Sequence, residues 1–210
     1  MDSHGILTVI SGFSGVGKGT VVKQLLEQYN NYALSVSATT RQPREGEVDG
    51  VHYFFRSKQE FEEMIEKEEL IEYACYVENY YGTPKEYVEQ QLCKGKDVIL
   101  EIELQGALKV KEKFPDTLLI FLIAPDADTL EKRLENRGTE DRETVAARLA
   151  RAYEESASVS NYDYMIVNNQ LEDCVQQVHQ TIQCEHARAF RNKQQIQQLR
   201  AELKQFSKGE

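Results

Sequence analysis

Residues 12–20 read Gly-Phe-Ser-Gly-Val-Gly-Lys-Gly-Thr, directly after an apolar run at Ile6–Ile10 and directly before a helical pattern, Val21-Val22 and Leu25-Leu26. A strand, a glycine-rich turn and a helix in that order form the setting in which a phosphate-binding loop works. Glycines let successive backbone N–H groups turn inward around an anion, and the helix N-terminus adds a favourable dipole. Gly12, Ser14, Gly15, Val16, Gly17, Lys18, Gly19 and Thr20 are the candidate phosphate-binding residues. Lys18 is placed to reach the β- and γ-phosphates as a point charge. The pattern G-x-x-x-x-G-K-[ST] is met at Gly12, Gly17 and Lys18, but position 19 is Gly and the hydroxyl moves to Thr20.

A chain of 210 residues with 40% hydrophobic residues suits one domain with modest insertions, or one domain and a tail. A mean hydropathy of -0.57 and the absence of a ~20-residue apolar run argue against a membrane span. The N-terminal Met1–Gly5 stretch lacks a basic region followed by an apolar core, so a cytoplasmic location is expected. Cys75, Cys93, Cys174 and Cys184 show no C-x-x-C pair and no metal-ligand spacing, and read as free thiols. A net charge of -10 speaks against nucleic-acid binding. An acidic chain that binds phosphates must cluster its basic residues locally.

Strand-like runs at Ile6–Ile10, Leu34–Val36, Val98–Ile102, Leu118–Ile123 and Tyr164–Val167 alternate with helical patterns. The helical patterns cover Thr20–Gln28, Lys58–Lys67, Pro84–Leu92, Gln105–Lys113, Ala127–Arg137, Thr144–Ser158 and Leu171–His179. This alternation predicts an α/β doubly wound fold with ligands beyond the carboxyl ends of the strands. The stretch from Thr39 to about Tyr81 breaks the alternation and reads as an inserted subdomain with an acidic helix. Past Cys184 the chain turns Gln-, Arg- and Lys-rich, with Ile196, Leu199, Leu203 and Phe206 at 3-4-3 spacing. That stripe fits a terminal helix laid on the core, or a short coiled coil used for self-association.

Arg41 and Arg44 lie three residues apart around Pro43, which fixes the local backbone so that two guanidinium forks can converge on one phosphate. In order, the chain then shows Ser37-x-Thr-Thr-Arg41-x-Pro-Arg44-x-Gly-Glu, Gly50-x-x-Tyr53-x-Phe, Glu69-Leu-Ile-Glu72 and Asn79-Tyr-Tyr81-Gly-Thr83. Val98-Ile-Leu-Glu101-Ile-Glu103-Leu-Gln-Gly106 and Arg133-Leu-Glu-Asn-Arg137-Gly-Thr follow. With the loop at 12–20, this series resembles guanylate kinase over roughly residues 5 to 186. The Gly-Lys-Gly-Thr ending of the loop is itself similar to nucleoside monophosphate kinases.

The resemblance implies a P-loop nucleoside monophosphate kinase fold: a parallel five-stranded core sheet flanked by helices, a GMP-binding insertion over about 38–90 and a mobile lid over about 137–148. Residues 1–186 would form this domain and 187–210 a C-terminal helical extension. By the same resemblance Arg41, Arg44, Tyr53 and Tyr81 hold the GMP phosphate, with Gly82 beside them. Glu72 reads guanine, whose N1–H and exocyclic NH₂ are adjacent donors that one carboxylate can accept together. Ser37 and Thr83 offer hydroxyls to O6. Adenine would leave that carboxylate unmet, a mismatch worth about 10⁴-fold in discrimination.

Glu101 and Glu103 end an apolar strand and can position hydrated Mg²⁺ or the guanine edge, with Thr20 and Glu101 as metal contacts through water. The family usually carries Asp where this chain has Glu103, one methylene longer. Arg133, Arg137 and Arg148 would close over the triphosphate of ATP together with Lys18, and Asn168 would contact adenine. The implied activity is ATP-dependent phosphorylation of GMP, and of dGMP, to the diphosphate, with Mg²⁺ as cofactor and no nucleic-acid or membrane partner. Monomer and homodimer through the C-terminal helix both stay open. A catalytically inactive protein-binding scaffold would have a degraded loop and lid, whereas Lys18, Arg137 and Arg148 are kept. A kinase of sugar phosphates would lack the base-reading set, whereas Ser37, Glu72 and Thr83 are all present.

Overall fold

The computed structural model describes residues 4–76, 78–136 and 142–206. Its strands are β1 (Leu7–Gly12), β2 (Tyr32–Leu34), β3 (Ala38–Thr39), β4 (Phe54–Phe55), β5 (Leu70–Tyr76), β6 (Asn79–Pro84), β7 (Asp97–Glu101), β8 (Leu118–Ile123) and β9 (Tyr164–Val167). The helices are α1 (Lys18–Gln28), α2 (Lys58–Glu66), α3 (Lys85–Cys93), α4 (Leu104–Lys113), α5 (Ala127–Glu135), α6 (Arg142–Ser156), α7 (Leu171–His186) and α8 (Lys193–Leu203).

Five strands form a parallel sheet in the order β2-β7-β1-β8-β9. The order reverses around β1, so its carboxyl end opens onto a crevice of the kind that binds ligands. The period-2 rule for strands sorts the core into two layers. Ile6, Ile10, Leu118, Ile120 and Leu122 meet α1 and α7 through Val22, Leu25, Val175 and Val178. Leu7, Val9, Leu119 and Phe121 face the other way, onto α3 and α4 through Val88, Leu92, Ala107 and Val110. A strand covered on both faces must be apolar throughout, which is why β8 reads Leu-Leu-Ile-Phe-Leu-Ile.

Two expected elements are displaced. The second strand lies at Tyr32–Leu34 rather than Leu34–Val36, because Tyr32 is the residue that buries, and its hydroxyl meets His179 Nδ1 at 2.7 Å. The helix expected to stop at His179 continues to His186, carrying Ile182 and Glu185 into the interior.

Residues 38–84 build a second, four-stranded sheet in the order β4-β3-β6-β5. Strand periodicity in the sequence does not mark its β5–β6 hairpin. Helix α2 packs Phe61 against Ala38 and Leu70 to make a small core. Ser57 and Glu60 start that helix as a capping box: the Ser57 Oγ accepts from the Glu60 N–H, and Glu60 Oε2 accepts from the Ser57 N–H. Helices α5 and α6 pack on each other beside the first sheet through Leu130, Leu134, Val145 and Ala152. No residue of α8 is buried, and Ile196, Leu199, Leu203 and Phe206 are 50–75% exposed, so the apolar stripe is not laid on the core. Among the described residues no helix is long and apolar enough to cross a membrane.

Candidate active site

The loop at 12–20 joins the carboxyl end of β1 to the N-terminus of α1. Gly15 and Gly17 take φ of +86° and +91°, a region that costs glycine nothing and other residues strain. A Cβ on Gly15 would also lie 2.7 Å from Leu134 Cδ2. The turn is closed by the Val16 N–H on the Phe13 carbonyl. Lys18, Gly19 and Thr20 form the first turn of α1, where backbone N–H groups have no partners within the helix.

Side chains from β7, α5, α6 and the segments beside α4 and β9 converge here. The Lys18 ammonium lies 3.6 Å from Glu103, and Arg151 approaches the same carboxylate at 3.7 Å. Glu101, at the end of β7, stands close to Gly19, where an added Cβ would be 3.5 Å from its Oε1. It is exposed at the strand end and lines the cleft. Partial burial pushes it above the usual carboxylate range, Lys18 pulls it back and Glu103 adds to the rise. Arg148 of α6 donates to Ser14 Oγ at 2.7 Å, which brings an arginine of α6 onto the loop. Arg133 of α5 reaches the Val16 carbonyl at 3.4 Å. Asn168 follows β9 and donates its Nδ2 to that same carbonyl at 2.8 Å. Arg137, and with it the first part of the expected lid, lies outside the described residues.

The second sheet brings the other candidates together. Arg41 Nη2 pairs with Glu47 at 2.8 Å, and its guanidinium lies over the Tyr53 ring, 5.4 Å from the centroid. Tyr53 and Tyr81 meet edge to face at 6.2 Å. Hydrogen bonds from Arg41 and from the Arg44 N–H hold the Glu47 carboxyl down at about 2. The Arg44 side chain is exposed and only its backbone joins this cluster. Glu47 stood in the motif by sequence but was not expected as a functional partner; the signal was its place three residues after Arg44.

Glu72 sits where the β5–β6 register shifts by one residue between Leu70 and Tyr73. A bulge of this kind re-aims a side chain. Burial raises the Glu72 carboxyl above its ordinary value, while the hydrogen bond from Thr83 opposes the rise. Thr83 Oγ1 donates to Glu72 Oε1 at 2.8 Å. Ser37, Tyr53, Thr83 and Glu101 line one cleft of about 140 Å³ together with Ser35 and His52, two residues the sequence did not single out. Gly82 is buried in β6, where a Cβ would lie 2.8 Å from the Glu72 carbonyl, so it permits close strand pairing. A larger hollow of about 430 Å³ between α2 and α3 contains none of the candidate residues.

A glycine-rich loop that opens a helix thus faces, across the end of a parallel sheet, a second sheet whose elements carry an arginine, two tyrosines and a desolvated carboxylate. This is the arrangement of the P-loop nucleoside monophosphate kinase class. The guanylate kinase family model matches residues 5–185, and the chain belongs to the guanylate kinase family. It is 53% identical over 191 residues to the guanylate kinase of Lactococcus lactis, covering 91% of this chain and 93% of that protein. The guanylate kinase of Caldanaerobacter subterraneus is 48% identical over 199 residues, 95% of this chain and 97% of that one. The crystal structure of guanylate kinase from Anaplasma phagocytophilum superposes with a TM-score of 0.70 at 32% identity, covering 90% of each chain.

Proposed function

We propose that the protein transfers the γ-phosphoryl group of ATP to GMP, yielding GDP and ADP, and that the residues brought together above do the work. The observation that carries this reading is the pairing of a glycine-rich loop at a helix N-terminus with Glu72, a desolvated carboxylate hydrogen-bonded to Thr83 of the facing cleft. Guanine fits Glu72 because its N1–H and NH₂ both donate toward the two carboxylate oxygens. Thr83 has one proton, which in the free protein lies on Glu72 Oε1. As guanine takes over that carboxylate, the Thr83 rotor is freed to turn toward O6, beside Ser37. Arg41, Tyr53 and Tyr81 form one face of the acceptor-phosphate site, and Arg44 is near enough in sequence to swing onto it. dGMP keeps every group these contacts use.

On the donor side the loop N–H groups and Lys18 hold the β- and γ-phosphates. Lys18 leaves Glu103 for the phosphates, and Arg148 follows from its seat on Ser14. The acceptor phosphate oxygen then attacks phosphorus in line as the ADP oxygen leaves. Positioning and charge neutralisation supply the acceleration, and no covalent enzyme intermediate is needed. No group of three or more metal-ligating side chains occurs among the described residues. Mg²⁺ takes oxygen donors, keeps several waters and binds through one or two protein groups and substrate phosphates. Thr20 and Glu101 supply such a hard-oxygen pair beside the loop. Bound there, Mg²⁺ would neutralise charge on the phosphates.

The test is ADP release from ATP·Mg²⁺ with GMP, AMP, CMP or UMP as acceptor, run beside Lys18→Ala. Turnover with GMP alone, lost in the variant, is the expected result. A folded protein that binds GMP yet turns over no acceptor would overturn the reading in favour of a binding scaffold.

A further inference from the structure

The peptide between Val16 and Gly17 is a weak point in the phosphate loop. It is trans, so its carbonyl and its N–H point in opposite directions. Gly17 has no Cβ to hold φ at +91°, and for glycine the opposite sign of φ is equally accessible. If this peptide flipped, the Gly17 N–H would leave the cradle and the Val16 carbonyl oxygen would enter it. A donor to the anion would be exchanged for a repelling dipole.

Two side chains hold the Val16 carbonyl where it is. Asn168 is 5% exposed, and its backbone N–H is fixed to the Ile123 carbonyl at the end of β8 by a 2.8 Å hydrogen bond. Its Nδ2 donates to the Val16 carbonyl at 2.8 Å. Only the amide NH₂ can face a carbonyl, so the orientation of this side chain follows from its partner. Arg133 adds a longer contact, 3.4 Å, to the same oxygen. Gly17 is required twice over, because a Cβ there would stand 2.9 Å from Asn168 Nδ2.

We infer that Asn168 is a positioning residue of the donor site: by holding the Val16 carbonyl away from the cradle, it aims the Gly17 N–H at the phosphates. This rests on the donor-site reading above and departs from an adenine contact. The effect passes through the loop backbone, so it is the same for any bound triphosphate, whether or not it carries a base. Removing a buried hydrogen bond to the carbonyl lets the flipped form compete, and apparent affinity falls in proportion to the competent fraction.

The experiment measures Mg²⁺·tripolyphosphate and Mg²⁺·ATP binding calorimetrically for the wild type, Asn168→Ala and Asn168→Asp. Asn168→Asp keeps the shape and loses the donor, so it serves if the alanine variant folds poorly. Glycine-selective ¹⁵N spectra follow the Gly17 amide on addition of each ligand. Both variants are expected to bind both ligands about tenfold more weakly. The KM for GMP should stay within about twofold of wild type, since a buried donor outside the acceptor cleft leaves that affinity alone. The ligand-induced shift of the Gly17 amide should shrink. A loss confined to ATP would mean that Asn168 touches the base, and overturns the proposal. Unchanged binding of both ligands, or an equal loss for GMP, overturns it as well. Failure of the wild type to bind either triphosphate would remove the donor-site reading itself, an outcome distinct from the others.

Discussion

In the first sheet β1 buries all six of its residues and β8 five of six, and helices close both faces. In the second sheet the two residues of β4 are only half-buried, and the core is three buried side chains, Ala38, Phe61 and Leu70, with aromatic and aliphatic residues packed around them. On the proposed function, the donor half of the cleft stands on the first arrangement and the acceptor half on the second. The loop carbonyl at Val16 is held from a buried side chain of β9's end, 152 residues away, whereas Arg41 is held by Glu47, six residues away on the same excursion of chain. Local opening costs least where few apolar contacts and solvent-exposed hydrogen bonds hold an element. The donor site is therefore built in advance, and the acceptor site belongs to the part of the molecule able to rearrange around its ligand.

The most severe way to test this division is to remove one charge from each half. Lys18→Ala should lower kcat by about 10⁴-fold, within the range that a cation on the transferring phosphoryl group supplies. GMP affinity, measured by titration calorimetry, should not move. Glu72→Ala should lower kcat/KM for GMP by about 10³-fold, the loss of two hydrogen bonds to a charged acceptor. ATP binding should persist. If either variant weakened both substrates alike, the two halves would be one energetic unit.

A milder probe is pH. Burial raises the Glu72 carboxyl, and it must be ionised to accept from guanine. As pH falls through that raised value, the KM for GMP should climb by up to about tenfold per unit. Folding responds in the opposite sense. A group whose folded pKa lies above its unfolded one favours the native state below the unfolded value, and that contribution disappears as pH rises through the folded value. Acidification should thus relieve the burial cost at Glu72 while it weakens GMP binding. Glu47, held at about 2, stays ionised across this range, so Arg41 keeps its anchor. Glu101 is raised too; it lines the cleft with Ser37 and Thr83 but also stands beside Gly19 of the loop. Its titration should show on the KM for ATP, whereas the main acid rise for GMP belongs to Glu72. Glu72→Gln should abolish the acid rise for GMP and leave the ATP profile in place; persistence of the GMP rise would assign it to another group.

The same division decides what could be read from the sequence. The loop was legible because a cradle of backbone N–H groups needs glycines at fixed intervals between a strand and a helix. Strand β8 was legible because burial on both faces leaves no room for a polar residue. In β5 the bulge at Glu72 breaks the two-residue period, and Tyr73 is 42% exposed, so strand periodicity was never displayed. Val36 is apolar, but Tyr32 is the residue that the α7 side covers, and the strand moved accordingly. The contact of Asn168 with Val16 spans most of the chain, and no local spacing encodes it. Sequence picks out Arg41 as a candidate for a phosphate site; only the fold shows that Glu47 holds it, that Tyr53 lies under it and that Tyr81 meets Tyr53.

The gentlest test lies in the capping box of α2. Ser57→Ala removes the oxygen that accepts from the Glu60 N–H, while the backbone N–H at position 57 still donates to the Glu60 carboxylate. Loss of such a cap costs about 1 kcal/mol. If the inserted sheet opens by itself, that cost appears as roughly fivefold faster amide exchange in α2 alone, with β1 and β8 amides unaffected. The KM for GMP should rise by no more than the same factor, because α2 carries Phe61 under the strands that hold Tyr81 and Thr83. Equal acceleration in β1 would show that the insertion and the core unfold together. The acceptor site would then be as fixed as the donor site, and its capacity to close on GMP would have to come from elsewhere in the chain.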